Sequence, residues 1–187
     1  MMTLREEFRT KISPKLKSEL GVANVMAVPT LEKVTIMVGI SPAKHKDGKL
    51  LETAEDVLRR ISGQKPVKTL ARKSISNFKI REGQAIGLMV TMRGRRMWDF
   101  VERLIGFTFP RMRDFRGVPE SVVDSSGNLT YGFAEHLAFP EIRPDEVERI
   151  HGLQVTITTT AGTREEGLAL FRSIGFPFQK LREKKAS

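Results

Sequence analysis

The sequence predicts an α+β fold in two layers, a mostly antiparallel sheet with helices packed on one face. Three observations predict it. Apolar residues alternate at strand period in three segments (Leu31–Ile40, Ala85–Met92, Leu153–Thr160). Apolar stripes recur at helix period in three others (Leu50–Ser62, Arg95–Phe107 and the stretch after Thr163). Several strand pairs have connections too short for a parallel crossover, which leaves antiparallel pairing. A chain of 187 residues suits one domain. At this size about 70% of the unfolded surface can be buried without disulfides. The reading is one domain over residues 1–179 and a mobile basic tail over 180–187.

Leu4, Phe8, Ile12, Leu16 and Leu20 keep helical spacing, with a kink or break expected at Pro14 and a stop at Gly21. Val28-Pro29-Thr30 reads as extended, because the residue before proline avoids the α region. Leu31 to Ile40 alternates as a strand. Ser41 to Lys49 is a loop with Pro42 and Asp47-Gly48. The next helix buries Leu51, Ala54, Val57, Leu58 and Ile61 and ends at Gly63. Lys65 to Gly83 is polar and basic with few large apolar residues, and carries no clear periodicity. Ala85 to Met92 is a strand, Arg95 to Phe107 a helix closed by Pro110, and Arg111 to Asn128 a loop region. Leu129 to Phe139 and Leu153 to Thr160 read as strands, the second rich in β-branched residues. Pro144 to Arg149 suits a short helical turn. Thr163 caps a last helix with Glu165 and Glu166 in its first turn, and Gly175 ends it.

Composition narrows the function. The chain has no cysteine, which excludes disulfides, thiolate metal sites and a cysteine nucleophile, and allows a reducing, cytosolic home. Met1 to Leu20 is charged throughout, so no signal peptide is expected, and no apolar run approaches the ~18 residues of a membrane span. Formal net charge is +10. The excess is patterned, with cations concentrated between Lys65 and Arg116 and acids between Glu120 and Glu148. A clustered cationic surface points to a polyanion, since Lys and Arg displace counterions from phosphates.

No catalytic constellation stands out, no cofactor motif is present and no metal site is expected. There is no phosphate-binding glycine loop and no Gly-x-Ser-x-Gly elbow. His45, His136 and His151 lie far apart in sequence. Glu148 and His151 have a metal-helix spacing but lack partners on other helices. Asp124-Ser125-Ser126 reads as a turn, and Trp98 as core. The residues that invite a nucleic-acid reading are Arg72-Lys73-Ser74-Ile75-Ser76-Asn77-Phe78-Lys79-Ile80-Arg81. Cations there suit phosphates, and Phe78 either stacks on a base or tucks under its own loop as an anchor.

Several segments in series resemble the bacterial large-subunit ribosomal protein five family. They are Gly63-Gln64-Lys65-Pro66, Ala71 to Gly83, Val90-Thr91-Met92-Arg93-Gly94, Arg111 to Gly117, Phe139-Pro140-Glu141-Ile142, Ile157 to Ala161 and Gly175-Phe176-Pro177-Phe178. The resemblance runs from about Val25 to Phe178. It implies a structural protein, not an enzyme, bound to the ribosome in the cytoplasm, without membrane contact and monomeric within that particle. Implied partners are 5S rRNA in the central protuberance, other large-subunit rRNA, the P-site tRNA, and a small-subunit head protein across an intersubunit bridge. Carried over by position, Gln64, Lys65, Thr91 and Arg93 would contact 5S rRNA. Arg72, Lys73, Ser74, Ser76, Asn77, Phe78, Lys79 and Arg81 would contact tRNA. Arg111, Arg113 and Arg116 would face the bridge. Two positions depart from the family pattern: Met37 stands where an asparagine is usual, and Ser125-Ser126 where a glycine-arginine pair is usual.

Overall fold

A computed structural model of the chain describes residues 2–40, 49–146 and 149–179. Residues 41–48 of the loop expected over Ser41 to Lys49, Glu148 of the Glu148–His151 pair, and the expected tail from residue 180 lie outside the described residues.

Five strands form one antiparallel sheet in the order β2-β3-β1-β5-β4. They are β1 (Leu31–Gly39), β2 (Val67–Leu70), β3 (Ala85–Met92), β4 (Leu129–Phe133) and β5 (Leu153–Thr159). Alternation sets which side each residue faces. Val34, Ile36 and Val38 of β1, Leu88, Val90 and Met92 of β3, and Val155 and Ile157 of β5 are all buried on the helical side. Helix α3 (Lys49–Ser62) packs on β3, and α4 (Gly94–Arg103) on β1. Trp98 is core, as its helical position predicts, with the Phe8 ring tilted against it at 4.9 Å. Thr163 caps α6 (Arg164–Ile174) by accepting from the Glu166 amide, and Gly175 ends it in the left-handed region at φ 89°.

Neither proline ends its helix, where a kink or break was expected at Pro14 and a stop at Pro110. The N-terminal helix runs as α1 (Leu4–Glu7), a π turn (Phe8–Ile12) and α2 (Ser13–Glu19). The helix that starts with α4 continues as a π turn (Leu104–Thr108) and α5 (Phe109–Arg111). Pro14 and Pro110 each stand two residues past a π turn. A helical proline offers no N–H to the carbonyl four residues back, and its ring crowds that carbonyl. Here the amides just before the prolines reach back five residues, Ser13 to the Phe8 carbonyl and Phe109 to the Leu104 carbonyl. The widened turn makes room for the ring and keeps the rest of the ladder.

Two further expectations are corrected. Strand β4 ends at Phe133 rather than Phe139, because the chain turns through a 3-10 segment at His136–Ala138. There the amide and ring of His136 meet the backbone of His151. The aperiodic basic stretch contains β2, an edge strand without a buried residue. With neither face covered, it had no period to show.

Candidate nucleic-acid interface

Strands β2 and β3 form a hairpin whose two ends carry the sequence-predicted contacts to RNA. At the end near Thr91, Gly63 ends α3 at φ 67° and turns the chain so that Gln64 lies beside β3. With its amide oriented to suit both neighbours, Gln64 donates to the Thr91 carbonyl at 3.0 Å and accepts from the Arg96 guanidinium at 3.2 Å. Ser62 closes the turn, its hydroxyl donating to the Leu58 carbonyl at 2.6 Å and accepting from the Gln64 amide at 3.2 Å. Gln64 and Thr91 are therefore one cluster, and Arg96 joins it, a residue that sequence reasoning missed. Arg93 also lies at this end and is paired with Glu32 at 3.3 Å. Lys65 is exposed. Met37 pairs with Met89 across β1 and β3, one alternation from Thr35 and Thr91, and is 40% exposed on the open face.

The other end is the loop between β2 and β3. Its backbone bonds to itself. Ala71 and Gln84 join the strand ends (Ala71 amide to Gln84 carbonyl, 2.9 Å), and Ile75 and Ile80 exchange amide–carbonyl bonds at 2.9 and 3.1 Å. A 3-10 turn (Ser76–Phe78) forms the tip, and Lys79 closes it in the left-handed region at φ 52°. The Ser74 hydroxyl accepts from the Glu82 amide at 2.9 Å, so Ser74 holds the loop as well as lining it. The side chains are another matter. All of residues 72–79 and Arg81 are exposed. Among the described residues, Arg72, Lys73, Lys79 and Arg81 have no ion-pair partner. Phe78 is 62% exposed, which rules out the anchor role and leaves its ring free on a self-bonded loop. From Ala85 to Thr91, six strand steps separate the two ends by roughly 20 Å.

The third predicted group sits elsewhere. Arg111, Arg113 and Arg116 are exposed, outside the β2–β3 hairpin. Arg111 and Arg113 border a cavity of about 380 Å³ with Phe133, Leu137 and Pro144. Their loop is anchored by Phe115 stacked on Phe109 at 5.2 Å, and by Val118, whose amide donates to the Pro177 carbonyl at 2.8 Å. Gly117 has φ 93°, and a side chain there would meet the Gln179 backbone at 2.8 Å.

Asp124 behaves as a turn residue. Its carboxylate accepts from the amides of Ser126 at 2.9 Å and Asn128 at 2.8 Å, and from the Asn128 side chain at 3.1 Å. Slight burial acts to raise its pKa, but these bonds win and hold the carboxyl below the usual range. No helix among the described residues is long and apolar enough to cross a membrane.

Comparison with known proteins identifies the family of the chain. Residues 24–81 match the family described as Ribosomal protein L5, and residues 85–178 match the family that describes the C-terminus of the same ribosomal proteins. A protein of Anaeromyxobacter sp. (strain Fw109-5) named Large ribosomal subunit protein uL5 is 48% identical over 177 residues, covering 95% of this chain and 98% of the relative. A protein of Solibacter usitatus (strain Ellin6076) with the same name is 51% identical over 177 residues, with the same coverage.

Proposed function

The chain belongs to the ribosomal protein L5 family, structural proteins of the large ribosomal subunit and not enzymes, and from that premise we propose that it docks 5S rRNA in the central protuberance while its basic loop touches the P-site tRNA. In this reading Gln64, Lys65, Thr91 and Arg93 contact 5S rRNA. Arg72, Lys73, Ser74, Ser76, Asn77, Lys79 and Arg81 meet tRNA phosphates and riboses, and Phe78 offers a stacking face. Arg111, Arg113 and Arg116 face a small-subunit head protein.

The observation that carries the reading is the separation of chemistry along the β2–β3 hairpin. At one end Gln64 ties the Thr91 carbonyl to the Arg96 guanidinium, with Arg93 held by Glu32. The other is a loop with its backbone bonded to itself, carrying exposed cations around an exposed ring. Two such ends roughly 20 Å apart suit two RNA contacts held at once.

The experiment is binding of the purified chain to cognate 5S rRNA across a salt series, with tRNA and unrelated duplex RNA as competitors. Tight 5S binding that survives competition is expected. Equal, purely salt-driven binding to every RNA would overturn the reading in favour of a free-standing nucleic-acid module.

A further inference from the structure

Helix α3 ends, as every helix does, on carbonyls that its own ladder cannot satisfy. The Arg59 carbonyl takes the Gly63 amide at 2.8 Å. The Ile61 carbonyl has a partner from another helix. Arg103, the last residue of α4, donates to it through Nη2 at 3.2 Å. Ile61 and Ser62 are both buried. A carbonyl left unpaired at such a place is costly. The bond therefore fixes the plane of the peptide between Ile61 and Ser62. Directly after it, Gly63 turns the chain in the left-handed region and presents Gln64.

The guanidinium is itself held. Its Nη1 donates to the Glu141 carboxylate at 2.6 Å. Glu141 lies between Phe139 and Ile142, both buried. The Ile142 amide donates to the Phe139 carbonyl at 3.2 Å, and the Phe139 ring stacks on Phe100 of α4 at 6.3 Å. The core thus places the carboxylate, and the carboxylate keeps a long side chain from exploring its rotamers. Arg96 stands seven residues before Arg103, two turns back on the same face of α4. It donates to the Gln64 side chain at 3.2 Å. Helix α3 rests on β3 and α4 on β1, so the two guanidiniums join helices seated on different strands. One holds the peptide before the turn, the other the side chain after it.

The ion pair is poorly built for stability alone. Arg103 Nε and the second Glu141 oxygen are buried without a partner among the described residues. A partly satisfied pair of this kind is commonly no better than apolar side chains of similar size. Its geometry suits placement instead. We propose that Arg103 is the positioning residue of the Gln64 turn, holding the end of α3 through the Ile61 carbonyl while Glu141 holds the guanidinium. Neither residue touches RNA in this role. The proposal rests on the reading that Gln64 meets 5S rRNA, and it makes that contact depend on Glu141, far along the chain and outside the hairpin.

The test compares the full-length wild type with Arg103→Met, Glu141→Gln and the double variant Arg103→Met, Glu141→Met. Melting temperature and affinity for 5S rRNA and for tRNA are measured, together with hydrogen exchange at the Gly63 and Gln64 amides without RNA. Arg103→Met strands the Glu141 carboxylate and frees the Ile61 carbonyl. It should melt lower, exchange faster at both amides and bind 5S rRNA roughly tenfold more weakly, with tRNA affinity within about twofold of wild type. The double variant removes the stranded carboxylate, so its melting temperature should recover. Its exchange and 5S affinity should not, because the Ile61 carbonyl still lacks a donor. Glu141→Gln keeps an acceptor for Nη1 and should bind 5S rRNA within about threefold of wild type. Recovery of 5S affinity along with melting temperature in the double variant, or equal losses on 5S rRNA and tRNA, would overturn the proposal. Should Arg103→Met fold poorly, the double variant decides alone, and wild-type exchange and 5S affinity in it sink the idea. Failure of the 5S reading looks different: wild type would not prefer 5S rRNA to an unrelated duplex, while exchange still reports whether Arg103 holds the turn.

Discussion

The two ends of the β2–β3 hairpin solve opposite problems. At the Thr91 end, side chains are committed to one another: Gln64 spans the Thr91 carbonyl and Arg96, and Arg93 holds Glu32. At the loop end, the backbone is committed to itself and the side chains are left free. A committed side chain supports the fold and its ligand together, so changing it disturbs both. A free side chain on a self-bonded backbone can be changed with little effect on the fold. The difference teaches where stability and binding should separate under mutation.

The largest expected effect follows from the free cations. Replacing Arg72, Lys73, Lys79 and Arg81 with alanine should weaken tRNA binding on the order of 100-fold at moderate salt and reduce the salt slope by roughly three to four. Each exposed substitution should change stability by no more than about 0.5 kcal/mol. A salt titration with tRNA and with 5S rRNA checks this, and a collapse of 5S binding would break the division between the ends. Phe78→Ala comes next. Loss of one stacking ring should cost about 1–2 kcal/mol of affinity for single-stranded or loop RNA, with the melting temperature unchanged because the ring buries little. A lowered melting temperature would mean that the ring supports the loop after all.

Gln64→Ala should do the reverse, lowering thermal stability by about 1 kcal/mol as the tie between α3, β3 and Arg96 is lost, together with a drop in 5S affinity. A binding loss without a stability loss would place Gln64 among the free side chains and blur the comparison. The smallest effect concerns pH. Burial pushes the His151 imidazole below its ordinary range, with His136 stacked at 4.2 Å adding to the shift and the Gly152 carbonyl opposing it. The unfolded chain therefore takes up this proton first as pH falls. The stability contributed is present above the ordinary value of about 6.5 and is lost as pH drops through the folded value. Denaturant melts between about pH 7.5 and 5 should show the decline in wild type and a flatter curve for His151→Phe. The ratio of 5S to tRNA affinity should be the same in both proteins.

Much of this was legible from local pattern. Strands β1, β3 and β5 showed their two-residue alternation because one face of each is buried and the other is open. Helices α3 and α6 showed apolar stripes and their stops at Gly63 and Gly175. The Asp124 turn could be read from residue types, since its bonds span only four positions. The basic loop from Arg72 to Arg81 was legible from its cations and Phe78, the other candidate contacts only through the family resemblance, and the sequence could not say whether Phe78 was buried.

What the sequence by itself determined is thus the set of elements that bury one face, the turns closed by neighbouring residues, and the excess of positive charge. Tertiary structure decided the rest. Strand β2 has no periodicity of its own and exists because β3 supplies its hydrogen bonds. Pro14 read as a kink or break and Pro110 as a stop, but packing of the helices they interrupt favours a widened turn over a lost one. Gln64 meets Thr91 from far along the chain, and Thr35 lies in register with Thr91 on one side and Thr156 on the other. Register across a sheet is a relation between distant segments, fixed by the burial of their common face, and no local window of sequence contains it.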